Sequence, residues 1–178
     1  MINNDDLDRS IEQMPTGIYR GGHLFFAINF TPMTIQQATT EHAAAVAVLF
    51  DAYRVYYEQA PDLPGAEAFL AERLRNRESV IFMAMEGGEL VGFTQLYPFF
   101  TSVGMQRAWV LNDLFVLPQY RNLGAGRALI NAARELAQDT SAKWIMLQTY
   151  SSNANAKALY EKMGFEIDSA CDYYYLGV

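Results

Sequence analysis

Hydrophobic and polar positions begin to follow a regular pattern at Met33, and from there they predict alternating strands and helices. Residues 34–38 predict a short strand, and Thr40 stands where the N-cap of a helix would. In that helix the apolar positions recur at helical spacing, which predicts one buried stripe. A second helix is predicted over residues 66–75, and two paired strands are predicted around the Gly-Gly pair at 87–88.

The second half of the chain predicts a strand, a loop, a helix, a strand and a helix in that order. Residues 107–117 form an almost continuous apolar run that stops at Pro118, which is typical of a central strand buried on both faces. A glycine-containing loop and an amphipathic helix follow, and residues 143–150 predict another strand. The last helix is predicted over residues 153–164, and residues 165–178 supply further strand material. The pattern therefore predicts a mixed α/β (α+β) fold.

Residues 1–32 show neither a helical nor a strand period, and we interpret them as an N-terminal extension before a domain over residues 33–178. The alternatives are a flexible native tail and a non-native stretch that precedes a start at Met33. The chain of 178 residues has the size of one domain, and its 51% hydrophobic and 19% charged residues are globular values. No run approaches the roughly 18 apolar residues of a membrane-spanning helix, so no membrane partner is expected.

Charge, cysteine and histidine usage restrict the partners. The formal net charge of −7, without a cluster of lysine or arginine, argues against nucleic acid and favours cationic small molecules. Cys171 is the single cysteine and no signal-peptide pattern is visible, which indicates a cytoplasmic protein. His23 and His42 are the only histidines and lie far apart in the sequence, so no metal site is expected.

The glycine loop, residues 121–127, carries a candidate phosphate site. Gly124 and Gly126 allow the backbone to approach a ligand closely, where the following helix presents its free N–H groups. Arg121 and Arg127 can add charge-assisted hydrogen bonds. The loop is therefore a candidate phosphate site, and for the two glycines taken alone a turn without a ligand is at least as good an explanation.

Two familiar nucleotide motifs do not match the glycine loop. A P-loop needs a Lys-Ser/Thr pair where Arg127 and Ala128 stand, which excludes it. A dinucleotide fingerprint needs a third glycine where Leu129 stands, which weakens that interpretation.

A second motif decides between these alternatives. The loop RNLGAG after DLFVLPQY, followed by the segment NANAKALYEKMGF from Asn153, resembles the GCN5-related N-acetyltransferase (GNAT) family, most closely its small histone and polyamine acetyltransferases. The resemblance covers Thr34 to the C-terminus. It implies the element order β-α-α-β-β-β-α-β-α-β, in which a mixed sheet of about six to seven strands is flanked by about four helices and splayed central strands hold acetyl-CoA.

The same resemblance implies which residues contact acetyl-CoA. Its pyrophosphate would lie on the glycine loop, its pantetheine arm and acetyl carbonyl along the preceding strand, and its sulfur beside Tyr160. The implied cofactor-binding residues are Leu114, Phe115, Val116, Arg121, Asn122, Leu123, Gly124, Ala125, Gly126, Arg127, Asn153 and Tyr160.

Acetyl transfer to an amine needs a neutral nucleophile, a stabilised oxyanion and a proton for the leaving thiolate. The backbone N–H of Val116, or of a neighbour, is the candidate oxyanion donor. Tyr160 is the candidate acid, because a phenol of pKa near 10 stays protonated at neutral pH; without the resemblance, a packing role for it is equally good. Asp113 is the candidate base, and a structural carboxylate is the alternative. Polyamine-type relatives carry a glutamate where Asn112 stands, and adjacent strand residues are expected to face opposite sides.

The acceptor pocket of this fold is lined by the first two helices and the loop after the hairpin. Tyrosines there, with Glu58, Asp62 and Glu67, can receive a cation, or they can be core aromatics and a solvated acidic face. The leading hypothesis is an acetyl-CoA-dependent N-acetyltransferase acting on a small primary amine or a peptide lysine. The alternatives are an acyl-CoA sensor without turnover and an assembly protein that pairs strands through its tyrosine-rich C-terminus, and a homodimer is compatible with each.

Overall fold

The computed structural model describes residues 33–178 as one sheet with helices on both faces; the predicted extension over residues 1–32 lies outside the described residues. The strands are β1 Thr34–Gln37, β2 Val80–Glu86, β3 Glu89–Thr101, β4 Gln106–Val116 and β5 Ile145–Met146. The helices are α1 Ala43–Tyr56, α2 Leu63–Arg75, α3 Ala125–Asp139 and α4 Ala154–Lys162, with short 3-10 turns at Thr40–His42 and Pro118–Tyr120.

The sheet order follows the chain order, β1-β2-β3-β4-β5. The first three pairings are antiparallel and the pairing of β4 with β5 is parallel. The predicted hairpin between β2 and β3 is confirmed: Gly87 and Gly88 form its turn with φ of +59° and +87°, which glycine adopts at little cost. The predicted fold class and the four helices are confirmed.

Helix α2 begins at Leu63 rather than at Ala66. The Asp62 side chain caps it by accepting a hydrogen bond of 3.0 Å from the Gly65 N–H, and Pro64 occupies the first turn, where its missing N–H costs nothing. These two residues were the available sequence signal for the earlier start.

A β-bulge in β4 reverses which face of the sheet its side chains cover. Gln95 of β3 pairs with Asp113 and Leu96 pairs with Leu111, so Asn112 is an extra residue on β4. Before the bulge, Leu111 packs in the cluster that includes Ile130 of α3; after it, Phe115 packs in the cluster that includes Leu70 of α2.

The expectation that Asn112 and Asp113 face opposite sides is wrong because the bulge interrupts the alternation. The Asn112 Nδ2 donates to both carboxylate oxygens of Asp113 at 3.2 Å. The two side chains therefore meet.

The pairing of β4 with β5 is confined to Trp109 with Ile145 and Val110 with Met146. The strand predicted over 143–150 is thus two residues long, and from Leu111 onward β4 has no strand partner on that edge among residues 33–178. This is the splayed arrangement that the family resemblance implied.

The expected six to seven strands are five in the described part of the chain, because residues 165–178 form no strand. The short β5 offers this segment no ladder to extend, and Tyr174 and Leu176 are 89% and 90% exposed. One side-chain hydrogen bond, from the Tyr175 hydroxyl to Gln148 Oε1 at 3.0 Å, joins the segment to the chain after β5.

Within residues 33–178, no helix combines the length and the apolar character needed to cross a membrane. In the same range no group of three or more His, Cys, Asp or Glu side chains is arranged to hold a metal ion.

Candidate active site

The glycine loop ends at a helix N-terminus that lacks a capping side chain. Gly124 is the N-cap of α3 and has a left-handed φ of 98°. Helices α2 and α4 instead begin with capping side chains, those of Asp62 and Asn153. Because the first N–H groups of a helix have no partner within it, α3 presents free donors and the positive end of its dipole beside the exposed loop. An anion fits these donors.

The two glycines of the loop meet different surroundings. A Cβ on Gly124 would meet no atom within 4 Å, so packing does not require glycine there. Glycine is favoured at this position by the left-handed backbone conformation, and it leaves the space beside the loop open. A Cβ on Gly126 would lie 3.0 Å from Leu159 Cδ2. Gly126 therefore also allows α3 to pack closely against α4.

Arg121 fastens the loop to the end of β4. Its Nε donates to the Val116 carbonyl at 3.0 Å, while its side chain remains exposed. Asn122, the next residue, has a positive φ of 64°, which turns the loop towards Gly124. Leu123 and Arg127 are exposed and Ala125 is buried.

The open edge of β4 presents backbone donors. The Leu117 N–H donates to Val91 of β3 at 2.9 Å, whereas the Val116 carbonyl accepts from Arg121. Since alternate residues of a strand direct their N–H and C=O groups to opposite edges, Leu114 and Val116 direct theirs away from β3. Phe115 directs its N–H towards β3 and buries its ring in the core.

An open cavity of about 540 Å³ lies between the end of α1 and the start of α4. We call it the tyrosine cavity. Its lining residues are Tyr56, Tyr57, Glu58, Tyr150, Ser152, Asn153, Ala154 and Asn155.

The tyrosine cavity contains part of the expected acceptor pocket. Glu58 lines it, Asp62 caps α2 instead, and Glu67 is an exposed residue of α2 outside the lining. The contribution of Tyr150 was missed, because the chain after β5 reaches α1 only through the tertiary fold; its ring centroid lies 5.7 Å from that of Tyr57.

Asn153 lies in the wall of the cavity and also starts α4. Its Oδ1 accepts from the Ala156 N–H at 3.2 Å, and its Nδ2 donates to Thr149 Oγ1 at 3.4 Å. The predicted cap is confirmed. The side chain that was predicted to contact the cofactor arm is thus held in the wall of the cavity.

Tyr160 is half-buried on α4 and packs edge-on against Phe165 at 5.8 Å between ring centroids. Burial, with a smaller contribution from the neighbouring Tyr57, raises the pKa of Tyr160 to about 12. The phenol is therefore protonated at neutral pH, as an acid must be. Tyr57 lines the tyrosine cavity, whereas Tyr160 is not among its lining residues.

Asp113 is 5% exposed and lies beneath α1. Burial raises the pKa of its carboxyl above the ordinary range, while hydrogen bonding from Asn112 and Tyr53 opposes that rise. Tyr53 and Tyr57 belong to the tyrosines expected around the acceptor pocket, but their proximity to Asp113 was not predicted. Their spacing of four along a helix was the sequence signal, but it indicates a shared face without saying what that face meets.

Comparisons with known proteins agree on one family. The family model described as the Acetyltransferase (GNAT) family matches residues 46–165. An uncharacterized N-acetyltransferase of Bacillus subtilis, YhfO, is 53% identical over 146 residues, 82% of this chain and 98% of that protein. The crystal structure of a probable acetyltransferase is 37% identical with a TM-score of 0.78 and covers 82% of this chain and 97% of its own. An aminoglycoside N-acetyltransferase, AAC(6')-Iy, in complex with CoA has a TM-score of 0.67 at 21% identity, over 82% of this chain and 95% of its own.

Proposed function

Because the chain belongs to the Acetyltransferase (GNAT) family and is an N-acetyltransferase, we propose that it transfers the acetyl group of acetyl-CoA directly to a primary amine. The acceptor is a small molecule of the polyamine or amino acid type, or a peptide lysine. The observation that carries the proposal is the junction of β4 with α3. There, in the described part of the chain, a strand edge without a partner strand leads into a helix N-terminus without a capping side chain.

The residues of this junction suit acetyl-CoA. The free N–H groups that follow Gly124 would hold the pyrophosphate, and Arg121 and Arg127 would add positive charge. The N–H groups of Leu114 and Val116, on the open edge, would pair with the pantetheine arm and polarise the acetyl carbonyl. Asn153 would contact the arm from the opposite wall.

Two side chains would handle protons. When bound, acetyl-CoA supplies an activated acetyl group and a thiolate leaving group. Tyr160 donates the proton that the sulfur takes up, since its phenol is protonated at neutral pH. Asp113 accepts a proton from the acceptor ammonium, which must become neutral before it can attack.

The acceptor would enter the tyrosine cavity. The aromatic rings of the cavity and the carboxylate of Glu58 suit an ammonium group through cation–π and charge interactions. The formal net charge of −7 favours the approach of a cation over long range.

Two further proposals rest on the sequence. A cytoplasmic location is supported by the single cysteine. A homodimer is supported by the exposed aromatic side chains Tyr173, Tyr174 and Tyr175 near the C-terminus, which would bury apolar area against a second copy.

The proposal is tested by calorimetric titration with acetyl-CoA, followed by a CoA-thiol release assay over an amine panel. The panel contains spermidine, amino acid amides, lysine peptides and an aminoglycoside. Micromolar binding with turnover on one amine class is the expected result. Binding without turnover on any amine would instead identify an acyl-CoA sensor, and no binding would overturn the assignment of the glycine loop.

A further inference from the structure

The carboxylate proposed to accept the acceptor proton lies outside the cavity that would hold the acceptor. Asp113 is 5% exposed and does not line the tyrosine cavity, whereas Tyr57 lines it. The ring of Tyr53 packs edge-on against that of Tyr57, and the Tyr53 side chain lies beside the Asp113 carboxyl. We propose that the hydroxyls of Tyr57 and Tyr53 relay the ammonium proton of the acceptor from the tyrosine cavity to Asp113. The inference rests on the proposed function.

Tyr53 lies in the last turn of α1, and Tyr57 directly follows that helix and donates its N–H to the Tyr53 carbonyl at 3.2 Å. They stand one helical turn apart, and their ring centroids lie 4.9 Å apart at an interplanar angle of 72°. The ring of Tyr53 is also held edge-on by Phe93, with centroids 6.1 Å apart, and by Phe115 at 6.0 Å. The ring of Tyr53 is thus packed among the rings of Tyr57, Phe93 and Phe115.

The surroundings of Asp113 favour its action as a proton acceptor. Tyr53 and Tyr57 face it from α1, Tyr97 from β3 and the Asn112 amide from its own strand. Arg73 of α2 and Glu78 face Tyr97. Burial raises the pKa of the Asp113 carboxyl, which brings its proton affinity closer to that of an amine than an exposed aspartate would be.

The transfer balances without a co-reactant. The ammonium N–H bond breaks as a proton passes to the Tyr57 oxygen, the Tyr57 proton passes to the Tyr53 oxygen, and the Tyr53 proton passes to a carboxylate oxygen of Asp113. The amine keeps the electron pair of its N–H bond and becomes the nucleophile. Both tyrosines end neutral with their hydroxyls reoriented. After the product leaves, the same chain returns the proton from Asp113 to solvent and resets the site.

The relay predicts a change in pH dependence when one hydroxyl is removed. Tyr53→Phe and Tyr57→Phe, assayed with the panel amine that shows the highest turnover, should lower kcat/KM at pH 7 by about 10²-fold, the usual contribution of a positioned acid or base. In both variants log(kcat/KM) should then rise with unit slope towards the pKa of the free amine, near 10, because only an amine already neutral in solution can react. The wild type should level off at lower pH.

The matched control is Tyr97→Phe. This substitution removes a hydroxyl that also faces Asp113 but lies outside the cavity lining, so its pH profile should follow that of the wild type. Affinity for acetyl-CoA and thermal unfolding, measured on each variant, separate a relay from a folding defect. If Tyr53→Phe fails to fold because the buried Asp113 carboxyl loses its neighbouring hydroxyl, Tyr57→Phe alone is used for the test.

The outcomes separate the inference from the function on which it rests. A wild type that binds acetyl-CoA but acetylates no amine in the panel refutes the proposed function and the relay together. An active wild type whose pH profile is shared by Tyr53→Phe and Tyr57→Phe refutes the relay alone. An equal loss in Tyr97→Phe also refutes it, because the effect would then follow from any hydroxyl near Asp113.

Discussion

The two halves of β4, divided by the bulge at Asn112, differ in what surrounds them. The first half pairs with β3 on one edge and with β5 on the other, and it buries Trp109 and Leu111 against the α3 side of the sheet. Among residues 33–178 the second half pairs on one edge only; it carries the buried carboxylate of Asp113 and runs into the glycine loop. One strand thus contains a half that packs in the core and a half whose backbone groups, on the edge away from β3, can bind a ligand.

The largest expected effect would confirm the structural role of the first half. Trp109 is almost fully buried, and its Nε1 donates to Thr140 Oγ1 at 2.9 Å. Trp109→Ala should reduce the free energy of unfolding by about 3–5 kcal/mol, since it empties a large core site. Urea unfolding measures this. Trp144→Ala, at a half-exposed tryptophan, is the control and should cost much less.

The next largest effect is expected on acetyl-CoA affinity, from a substitution in the glycine loop that follows the second half of β4. Gly124→Asp places a negative charge and a side chain where the phosphate would lie, and acetyl-CoA affinity should fall at least 100-fold, about 2.7 kcal/mol. Gly87→Asp is the matched control, because Gly87 also has a positive φ, of 59°, but lies in the β2–β3 turn. Both substitutions should cost about 1–2 kcal/mol of stability through backbone strain. Calorimetric titration that finds equal affinity in the two folded variants would contradict the phosphate assignment.

A smaller effect is expected at Arg121, which joins the second half to the loop. Arg121→Gln removes a positive charge and should weaken acetyl-CoA binding about tenfold, or roughly 1.4 kcal/mol. Arg134→Gln, on the exposed face of α3, is the control for the loss of one charge. Calorimetry at two salt concentrations checks the electrostatic origin, because the difference between the two variants should shrink as salt rises.

The smallest effect concerns Asp113 and has the opposite sign. Burial holds the pKa of its carboxyl above the unfolded value, so the contribution of this group to stability is present at low pH and is lost as pH rises through the folded pKa. Asp113→Asn should therefore raise the thermal midpoint at pH 7 by about 2–4 °C, the shift that about 1 kcal/mol produces at this chain length. The gain should disappear at pH 4. A lower midpoint at pH 7 would show that the carboxylate stabilises the fold.

The sequence predicted those parts of the fold that depend on neighbouring residues. The Gly87-Gly88 turn and the Asn153 cap each need only a few adjacent positions, and both are confirmed. The bulge at Asn112 depends on the register of β3 against β4, and the shortness of β5 depends on how the sheet opens. Neither leaves a local pattern.

In the candidate site, too, the sequence predicted what depends on neighbouring residues and missed what depends on tertiary packing. The glycine loop and Tyr160 belong to motifs that can be recognised along the chain. Tyr53 and Tyr57 could be assigned to the buried stripe of a helix and to the tyrosines of the expected acceptor pocket, but not to the surroundings of Asp113, since that proximity arises when α1 packs on the second half of β4. Asp62 was expected to be an acceptor residue, and the closeness of the Gly65 N–H explains its use as a cap.

The close approach of α3 to α4 at Gly126 also makes the side chains that homologous chains can carry at positions 126 and 159 depend on each other. A methyl group at 126 would stand 3.0 Å from Leu159 Cδ2, so Leu159 must yield by a few tenths of an ångström to accept alanine. Leu159 directly precedes Tyr160, the proposed acid. Homologous chains that carry a larger residue at 126 should therefore carry a smaller one at 159, and the pair is expected to vary together.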